Sequence, residues 1–188
     1  MNKILVTYAV KEEFVPITIN GCKIEYLHTG IGKIRSAMML TKALCENRPD
    51  LVLNMGTAGT HNHRIGNIFV CRRFIDRDYE MVKLPGVEFE VDLTPIHKEK
   101  KILEDWTSTN GRVGTCNTGD SFVTEITSMD GDVVDMEAFA QAIVCREFDI
   151  PFLAVKYVTD IIGENSVKHW EDKLSDARKG FEDWFKDK

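Results

Sequence analysis

The chain has 188 residues, of which 43% are hydrophobic, and it carries a formal net charge of -6 with an isoelectric point near 5.4. This length and hydrophobic content predict one domain, residues 1–188, with a sizeable core. The acidic balance argues against a nucleic-acid-binding surface, and no apolar run is long enough to span a membrane.

The start of the chain and its cysteines predict a cytoplasmic protein. The first residues enter a strand pattern at once, so no signal peptide is predicted. The HxH pair His61 and His63 has no third ligand nearby, so no metal site is predicted. The cysteines are odd in number, have no CxxC spacing and lie mostly in apolar runs, as reduced core thiols do: Cys22, Cys45, Cys71, Cys116 and Cys145.

The first third of the chain predicts a strand, a hairpin and a helix. Residues 3–8 are rich in β-branched side chains and predict a buried strand, followed by Glu12 and Glu13. Asn20-Gly21 between alternating segments predicts a hairpin over residues 17–28. A glycine-rich turn then enters a helix over residues 34–47. Lys33 and Arg35 in its first turn leave two interpretations open, an anion site or an ordinary tight turn.

The middle of the chain predicts further strands that end in small or polar residues. Strands are predicted over residues 50–54, 66–74 and 111–117, and a helix over residues 97–107. The first of these strands is followed by a turn with two glycines around Thr57, which suits close approach of a ligand to the backbone. Residues 76–91 are irregular and predict a long loop.

Residues 131–163 carry two acids at the ends of predicted elements. Glu137 lies in the first turn of a predicted apolar helix that ends near residue 148. Asp160 follows a predicted buried strand over residues 152–158. An acid beside a core needs a partner, and ligands of open α/β sheets bind at the carboxyl ends of strands. The alternative is structural, because such acids also complement helix dipoles or form turns.

The last residues, 166–188, predict an amphipathic helix with an apolar stripe that begins at Trp170. Trp170 and Phe122 can each be core side chains, or they can close over and stack on a ligand. The alternation of strand, turn and helix predicts an α/β fold, three-layer αβα with a mixed, mainly parallel central sheet.

Five motifs in order along the chain resemble those of the purine nucleoside phosphorylase/nucleosidase superfamily. They are Gly30-Ile31-Gly32-Lys33, Asn54 to Gly59, Thr118 to Phe122, Asp135-Met136-Glu137 and Ala154 to Asp160. Within the superfamily the chain resembles the 5′-methylthioadenosine/S-adenosylhomocysteine nucleosidases most. The resemblance implies a nucleoside phosphorylase-like fold and hydrolysis of the N-glycosidic bond of a purine nucleoside, without a cofactor.

The resemblance also implies roles for single residues. Glu13 matches the glutamate that activates water, and Asp160 the acid that protonates the purine, with Thr159 before it. Glu137 matches the ribose-binding glutamate, and Met136 lies under the sugar. The remaining matches concern the base and the walls of the pocket: Phe122 stacks on the base, Val123 meets its edge, Trp170 is a lid aromatic, and Thr57, Ala58 and Gly59 line the site.

The segment Leu84-Pro85-Gly86 matches a loop that reaches the neighbouring subunit, which implies a homodimer. The chain departs from the family by its shorter loops, by Lys156 in place of an arginine and by Phe139 in place of a small residue. Two kinds of alternative stay open. One is another enzyme of the fold, a phosphorylase that uses phosphate at Lys33 and Arg35 or a futalosine-type hydrolase. The other is a nucleoside-binding protein without turnover.

Overall fold

The computed structural model describes residues 2–100, 111–125, 129–164 and 166–186. In these residues the strands are β1 (Asn2–Tyr8), β2 (Cys22–His28), β3 (Leu51–Thr60), β4 (Ile68–Asp76), β5 (Glu90–Asp92), β6 (Arg112–Thr118), β7 (Val133–Asp135) and β8 (Phe152–Ile161). The helices are α1 (Lys33–Glu46), α2 (Arg77–Val82), α3 (Thr94–Lys100), α4 (Ala138–Glu147) and α5 (Ser166–Phe185), with a short 3-10 helix at Lys11–Glu13.

The strands form one mixed, mainly parallel sheet, which confirms the predicted fold class. β1 lies between β2 and β3 and is parallel to both, and β3 is parallel to β8. β6 is parallel to β4 and to β7, whereas β4 is antiparallel to β5 and β8. None of the helices in the described ranges is long and apolar enough to cross a membrane.

Part of the sheet closes on itself. β7 meets the end of β3 in an antiparallel pair at Gly59 and Val134, and β8 bridges β3 and β4. The strands β3, β8, β4, β6 and β7 therefore form a ring. This closure brings the ends of β3, β7 and β8 together, and the cleft described below lies there.

Alternate residues of the central strands face two separate cores. From β8, Phe152 and Ala154 face a core that also contains side chains of α1 and α4. Leu153 and Val155 face a second core, which contains Phe181 and other side chains of α5. Helices thus cover both faces of the sheet in three layers. Each buried Phe, Leu or Val side chain contributes about 1.5–3 kcal/mol to folding when it leaves water.

The predicted hairpin over residues 17–28 is wrong. β2 runs parallel to β1, so the chain must first return to the start of β1, and it does so in an extended segment that contains Ile17 and Ile19. Both side chains are buried in the second core. The Tyr26 hydroxyl bonds the backbone N–H and C=O of Ile17, the groups that a hairpin partner would have used. Asn20-Gly21 forms only the turn that enters β2.

The other corrections concern element ends. β3 continues through the glycines that predicted a turn, and β8 includes Asp160, because the two strands stay paired to Thr60 and Ile161. α4 begins at Ala138, so Glu137 is its N-cap residue and does not lie in its first turn. The predicted loop 76–91 contains α2, which Asp76 caps. α3 covers the first part of the predicted helix 97–107, and residues 101–107 lie outside the described ranges.

The predicted amphipathic helix at the end of the chain is confirmed as α5. Its apolar stripe buries Ala177, Phe181 and Trp184 against the sheet, with Phe185 beside them. Residues 187 and 188 of the predicted helix lie outside the described ranges. Trp170 lies early in the same helix and is only partly buried, at the cleft.

Candidate active site

One cleft brings together ten of the eleven residues that the sequence nominated. It has an empty volume of about 720 Å³, including its open mouth. Its nominated lining residues are Glu13, Thr57, Ala58, Gly59, Phe122, Val123, Met136, Glu137, Asp160 and Trp170, and the further ones are Ala9, Val10, Ile31, Arg77, Ser121, Val134 and Asp135. Thr159, the eleventh, lies fully buried behind the cleft wall. Clefts of this size commonly bind small molecules.

Glu13 is held at one side of the cleft by β3. The 3-10 helix after β1 turns its side chain inward, whereas Glu12 stays exposed. Glu13 Oε1 accepts hydrogen bonds from the Thr57 backbone N–H at 2.9 Å and from the Thr57 hydroxyl at 2.5 Å. Burial raises the pKa of Glu13, although the bonds from Thr57 and the charge of Lys156 oppose the rise. Glu13 can therefore take up a proton more readily than a solvated carboxylate.

Two aromatic residues close the cleft. Trp170 donates its indole N–H to the Thr57 hydroxyl over 2.8 Å. Its ring meets that of Phe122 edge to face, with centroids 6.3 Å apart. Phe122 is 38% exposed, so it does not serve the core. An exposed aromatic ring at a cleft offers a surface on which a planar ligand can stack.

Glu137 lies at the N-cap of α4 and is 7% exposed. Its Oε1 accepts the Gly32 backbone N–H at 2.9 Å, which joins α4 to the turn before α1. Gly32 has a φ of 94°, a conformation that favours glycine. Burial, followed by the negative charge of Asp135, raises the pKa of Glu137 to about 8.

An ion pair that the sequence analysis did not nominate lies beneath these acids. Lys156 Nζ is 2.7 Å from Asp135 Oδ2, and both side chains are 1% exposed. Burial alone would raise the pKa of Asp135, but Lys156 and hydrogen bonds from Thr118 and Ala138 outweigh it and lower the pKa. The sequence does hold a signal, because a lysine inside an apolar strand needs a charged partner.

Thr159 and Asp160 lie near the end of β8, on the side of β3 opposite to β1. The Thr159 hydroxyl donates to Asp160 Oδ1 at 2.9 Å. A side chain at Gly59 would lie 2.8 Å from Asp160 Oδ2 and 3.1 Å from Val134. Glycine at this position therefore lets the end of β3 approach the acid closely, which is why Asp160 can line the cleft.

Arg77 is a second residue that the sequence did not reveal. Its side chain is 4% exposed and donates to the Ser121 carbonyl at 2.7 Å, beside Phe122. A side chain at Gly119 would overlap this guanidinium, so the two pack tightly. Burial lowers the pKa of Arg77. Pairing of β4 with β6 places Arg77 here, and no local pattern predicts that pairing.

The residues considered for phosphate lie apart from the cleft lining. Lys33 Nζ bonds Asp76 at 3.0 Å and Asp78 at 2.6 Å, and Arg35 is exposed and packs over Gly30. Of the HxH pair, His63 bonds Asp132 at 3.1 Å. Within the described ranges no group of three or more His, Cys, Asp or Glu side chains is arranged to hold a metal.

Comparisons with known proteins identify the family and similar folds. The family model described as "Phosphorylase superfamily" matches residues 6–181. The 5′-methylthioadenosine/S-adenosylhomocysteine nucleosidase of Bacillus subtilis (strain 168) is 30% identical over 184 residues, which cover 88% of this chain and 80% of the relative. The nucleosidase of the same name from Marinomonas sp. (strain MWYL1) is 29% identical over 176 residues, covering 84% and 76%.

Two solved structures have the same fold. A Helicobacter pylori nucleosidase mutant with 5′-methylthioadenosine in its active site aligns with a TM-score of 0.80 at 17% identity, covering 100% of this chain and 97% of that one. The futalosine hydrolase of Helicobacter pylori strain 26695 aligns with a TM-score of 0.76 at 18% identity, covering 98% and 96%.

Proposed function

The chain belongs to the phosphorylase superfamily, and from that premise we propose that it is a nucleosidase acting on nucleosides of the 5′-methylthioadenosine/S-adenosylhomocysteine type. It would hydrolyse the N-glycosidic bond and release the purine base. One observation carries this proposal. Three acids, Glu13, Glu137 and Asp160, line a single cleft that two aromatic residues close.

Asp160 is proposed to be the general acid. The purine is a poor leaving group as an anion, so a proton must reach its N7 as the bond between N9 and C1′ breaks. Asp160 lies in the cleft wall with Thr159 bonded to it. Phe122 would stack on the base, and the Val123 backbone would meet its edge.

Glu137 is proposed to bind the ribose. As the bond breaks, positive charge develops on the sugar, and a carboxylate that accepts hydrogen bonds from the 2′- and 3′-hydroxyls stabilises that charge. Met136 would pack under the sugar ring. The Gly32 N–H lowers the pKa of Glu137, but burial and Asp135 outweigh it, so the developing positive charge on the sugar is what favours the ionised form as the bond breaks.

Glu13 is proposed to be the general base. The oxygen of a water molecule attacks C1′, and one proton of that water passes to Glu13. Both hydrogen bonds from Thr57 end on Oε1, so Oε2 is the oxygen that would receive the proton. An acid and a base on opposite faces of a sugar resemble the arrangement of inverting glycosidases.

The ion pairs of Lys33 favour hydrolysis over phosphorolysis. A phosphate site at the start of α1 would need a lysine that is not already neutralised, and Lys33 bonds Asp76 and Asp78. A nucleoside-binding protein without turnover is disfavoured because binding does not require an acid and a base at separate strand ends. A futalosine-type substrate is the second candidate, since the nucleosidase and the futalosine hydrolase structures share this fold.

A homodimer and a cytoplasmic location belong to the same proposal. The bonds of Lys33 to Asp76 and Asp78 hold the start of α1 beside α2. Large apolar side chains are exposed around these two helices: Ile31, Ile34, Met38, Met81, Val82 and Leu84. Ile31 also lines the cleft, so a second copy on this face would border the site. The five cysteines are free thiols, which favours a reducing compartment.

The proposed function is tested by identifying the base released from a panel of nucleosides. The protein is incubated with methylthioadenosine, adenosylhomocysteine, inosine and futalosine, each with and without phosphate. We expect adenine from the first two substrates at a rate that phosphate does not change. Release that requires phosphate would indicate a phosphorylase, and release from futalosine alone would indicate the second candidate. Ligand binding without release of any base would contradict an enzymatic function.

A further inference from the structure

A chain of hydrogen bonds joins α5 to the proposed general base. The Trp170 indole N–H donates to Thr57 Oγ1 over 2.8 Å, and the Thr57 hydroxyl donates to Glu13 Oε1 over 2.5 Å. The Thr57 backbone N–H ends on the same carboxylate oxygen at 2.9 Å. The three residues come from α5, β3 and the 3-10 helix, so only the tertiary fold brings them together.

The indole fixes the direction of the second bond. An indole N–H can only donate, whereas a hydroxyl has one proton to donate and lone pairs that accept. Because the indole offers no acceptor and the ionised Glu13 carboxylate can only accept, the Thr57 hydroxyl proton points to Glu13 while Trp170 donates to Oγ1. Hydrogen bonds that polarise one another in series are stronger than the same bonds alone, and a donor to a carboxylate favours its ionised form.

We propose that Trp170 is a positioning residue for Glu13 that acts through Thr57, an inference that rests on the proposed function. Its N–H holds the Thr57 hydroxyl in the rotamer that donates to Oε1 and leaves Oε2 for the attacking water. The same indole meets Phe122 across the cleft. One residue therefore touches the ring proposed to stack on the base and supports the group proposed to activate water.

Other charges that face Glu13 do not depend on this bond. Lys156 on β8 lowers the pKa of Glu13, and Glu137 at the start of α4 interacts with it as a like charge. From α5, Arg178 donates to the backbone carbonyl of Glu12 at 2.6 Å. Within the 3-10 helix, Lys11 and Glu12 are exposed. A change confined to the indole N–H leaves all of these contacts in place.

The test measures the pKa of Glu13 itself. Carbon NMR on protein labelled at the glutamate carboxyls follows the titration, and the Glu13→Gln variant identifies the Glu13 signal. Trp170→Phe keeps an aromatic ring but removes the N–H, and we expect it to raise the pKa of Glu13 by roughly 0.3–0.5 unit. Thr57→Val removes the hydroxyl and should raise that pKa by about one unit. Trp184→Phe, at the far end of α5, is the matched control and should leave it unchanged.

A second replacement guards against misfolding of Trp170→Phe. Incorporating 3-benzothienyl-alanine at position 170 keeps the shape of the indole and replaces the N–H by sulfur, and it should produce the same shift. With a nucleoside that the wild type cleaves, the acidic limb of kcat/KM should move to higher pH by the same amount, because Glu13 must be ionised to accept a proton. A merely structural role would lower the rate without moving this limb.

The outcomes separate the inference from the proposed function. An unchanged Glu13 pKa in both position-170 variants overturns the role of Trp170, whether or not the protein is active. If both position-170 variants shift the pKa of Glu13 but the wild type cleaves no nucleoside, the result counts against the proposed function alone, since the carbon titration needs no turnover.

Discussion

Two acid-rich regions of the molecule each contain one lysine, and they differ in burial. The first, the cleft cluster, consists of Glu13, Asp135, Glu137, Lys156 and Asp160. The second, the α1 cluster, consists of Lys33, Asp76, Asp78 and Asp120. The ion pairs have similar lengths, 2.7 Å for Lys156 with Asp135 and 2.6 Å for Lys33 with Asp78. The Lys156 side chain is 1% exposed, whereas that of Lys33 is 16% exposed and that of Asp78 is 45% exposed.

This difference decides what each lysine does. In the α1 cluster Asp76 is buried, but water reaches Asp78 and screens its pair with Lys33, so the lysine chiefly tethers α1 to α2. In the cleft cluster one lysine must serve several buried acids, and it neutralises Asp135 most directly. The pKa values of Glu13 and Glu137 are raised as a result of burial that Lys156 does not fully offset. Raised carboxyl pKa values in a cleft are typical of acid–base chemistry.

The largest effect is expected for Asp160→Asn. Loss of a general acid should lower kcat about 10²–10⁴-fold, because asparagine keeps the shape of the side chain but cannot deliver the proton. Steady-state release of base measures the effect, and ligand binding should partly survive. Asp78→Asn in the α1 cluster is the matched control and should change kcat by no more than about twofold. Normal turnover by Asp160→Asn would show that another group protonates the base.

Lys156→Met should give the largest loss of stability. It leaves Asp135 charged, buried and without its cation, which costs about 3–5 kcal/mol of unfolding free energy. Thermal unfolding should show a Tm lower by roughly 10 °C for a chain of this size. Adding Asp135→Asn should recover part of the loss, because it removes the unpaired charge and its amide oxygen still accepts one of the two hydrogen bonds, from Thr118 to Oδ1 or from Ala138 to Oδ2. If the double variant were less stable than the single one, the charge would not be the cause.

Sequence reasoning predicted the parts of the fold that depend on alternation and periodicity. Local patterns predict the buried central parts of strands β3 and β8, the helices α1 and α5, and the mixed, mainly parallel sheet. The resemblance to the superfamily also nominated ten residues that the fold gathers around one cleft, most of them at or after the ends of strands and Trp170 in α5. The roles assigned to these residues stay predictions.

The remaining features depend on pairings between distant strands. The pairing of β4 with β6 sets the position of Arg77, and the pairing of β3 with β8 carries β3 past the glycines to Thr60. The strong local turn signal at Asn20-Gly21 predicted an antiparallel neighbour, but β1 already requires a parallel one. Lys156 was noted only as a departure from an arginine, because its partner Asp135 lies 21 positions earlier, in another element.

Glu137→Gln should change how stability depends on pH. In the folded protein without a ligand the pKa of Glu137 is raised to about 8, whereas in the unfolded chain the carboxyl has its ordinary pKa of 4.5. Unfolding therefore releases a proton between these values, and the wild type loses stability as pH rises through this window. From pH 6 to pH 8 the loss should be about 2 kcal/mol, and the glutamine variant should lack it. Thermal unfolding across this range measures it.

The matched control for Glu137→Gln is Glu12→Gln, which removes an exposed carboxylate a short distance from the cleft. Its dependence of Tm on pH should match that of the wild type. Identical pH dependence in Glu137→Gln and the wild type would mean that Glu137 is ionised in the folded protein throughout this window.

The smallest effect is expected for Lys33→Met in the α1 cluster. Asp78 is half exposed, and Asp76, although buried, still accepts the backbone N–H groups of Asp78 and Tyr79, so the variant should lose about 1 kcal/mol of unfolding free energy. Denaturant unfolding measures this, and the loss should shrink further in high salt, which screens exposed charges. Base release should keep its rate with and without phosphate, since we place Lys33 outside the chemistry. A large, salt-independent loss would show that the α1 cluster resembles the cleft cluster after all, and a loss of phosphate-dependent turnover would restore Lys33 as an anion site.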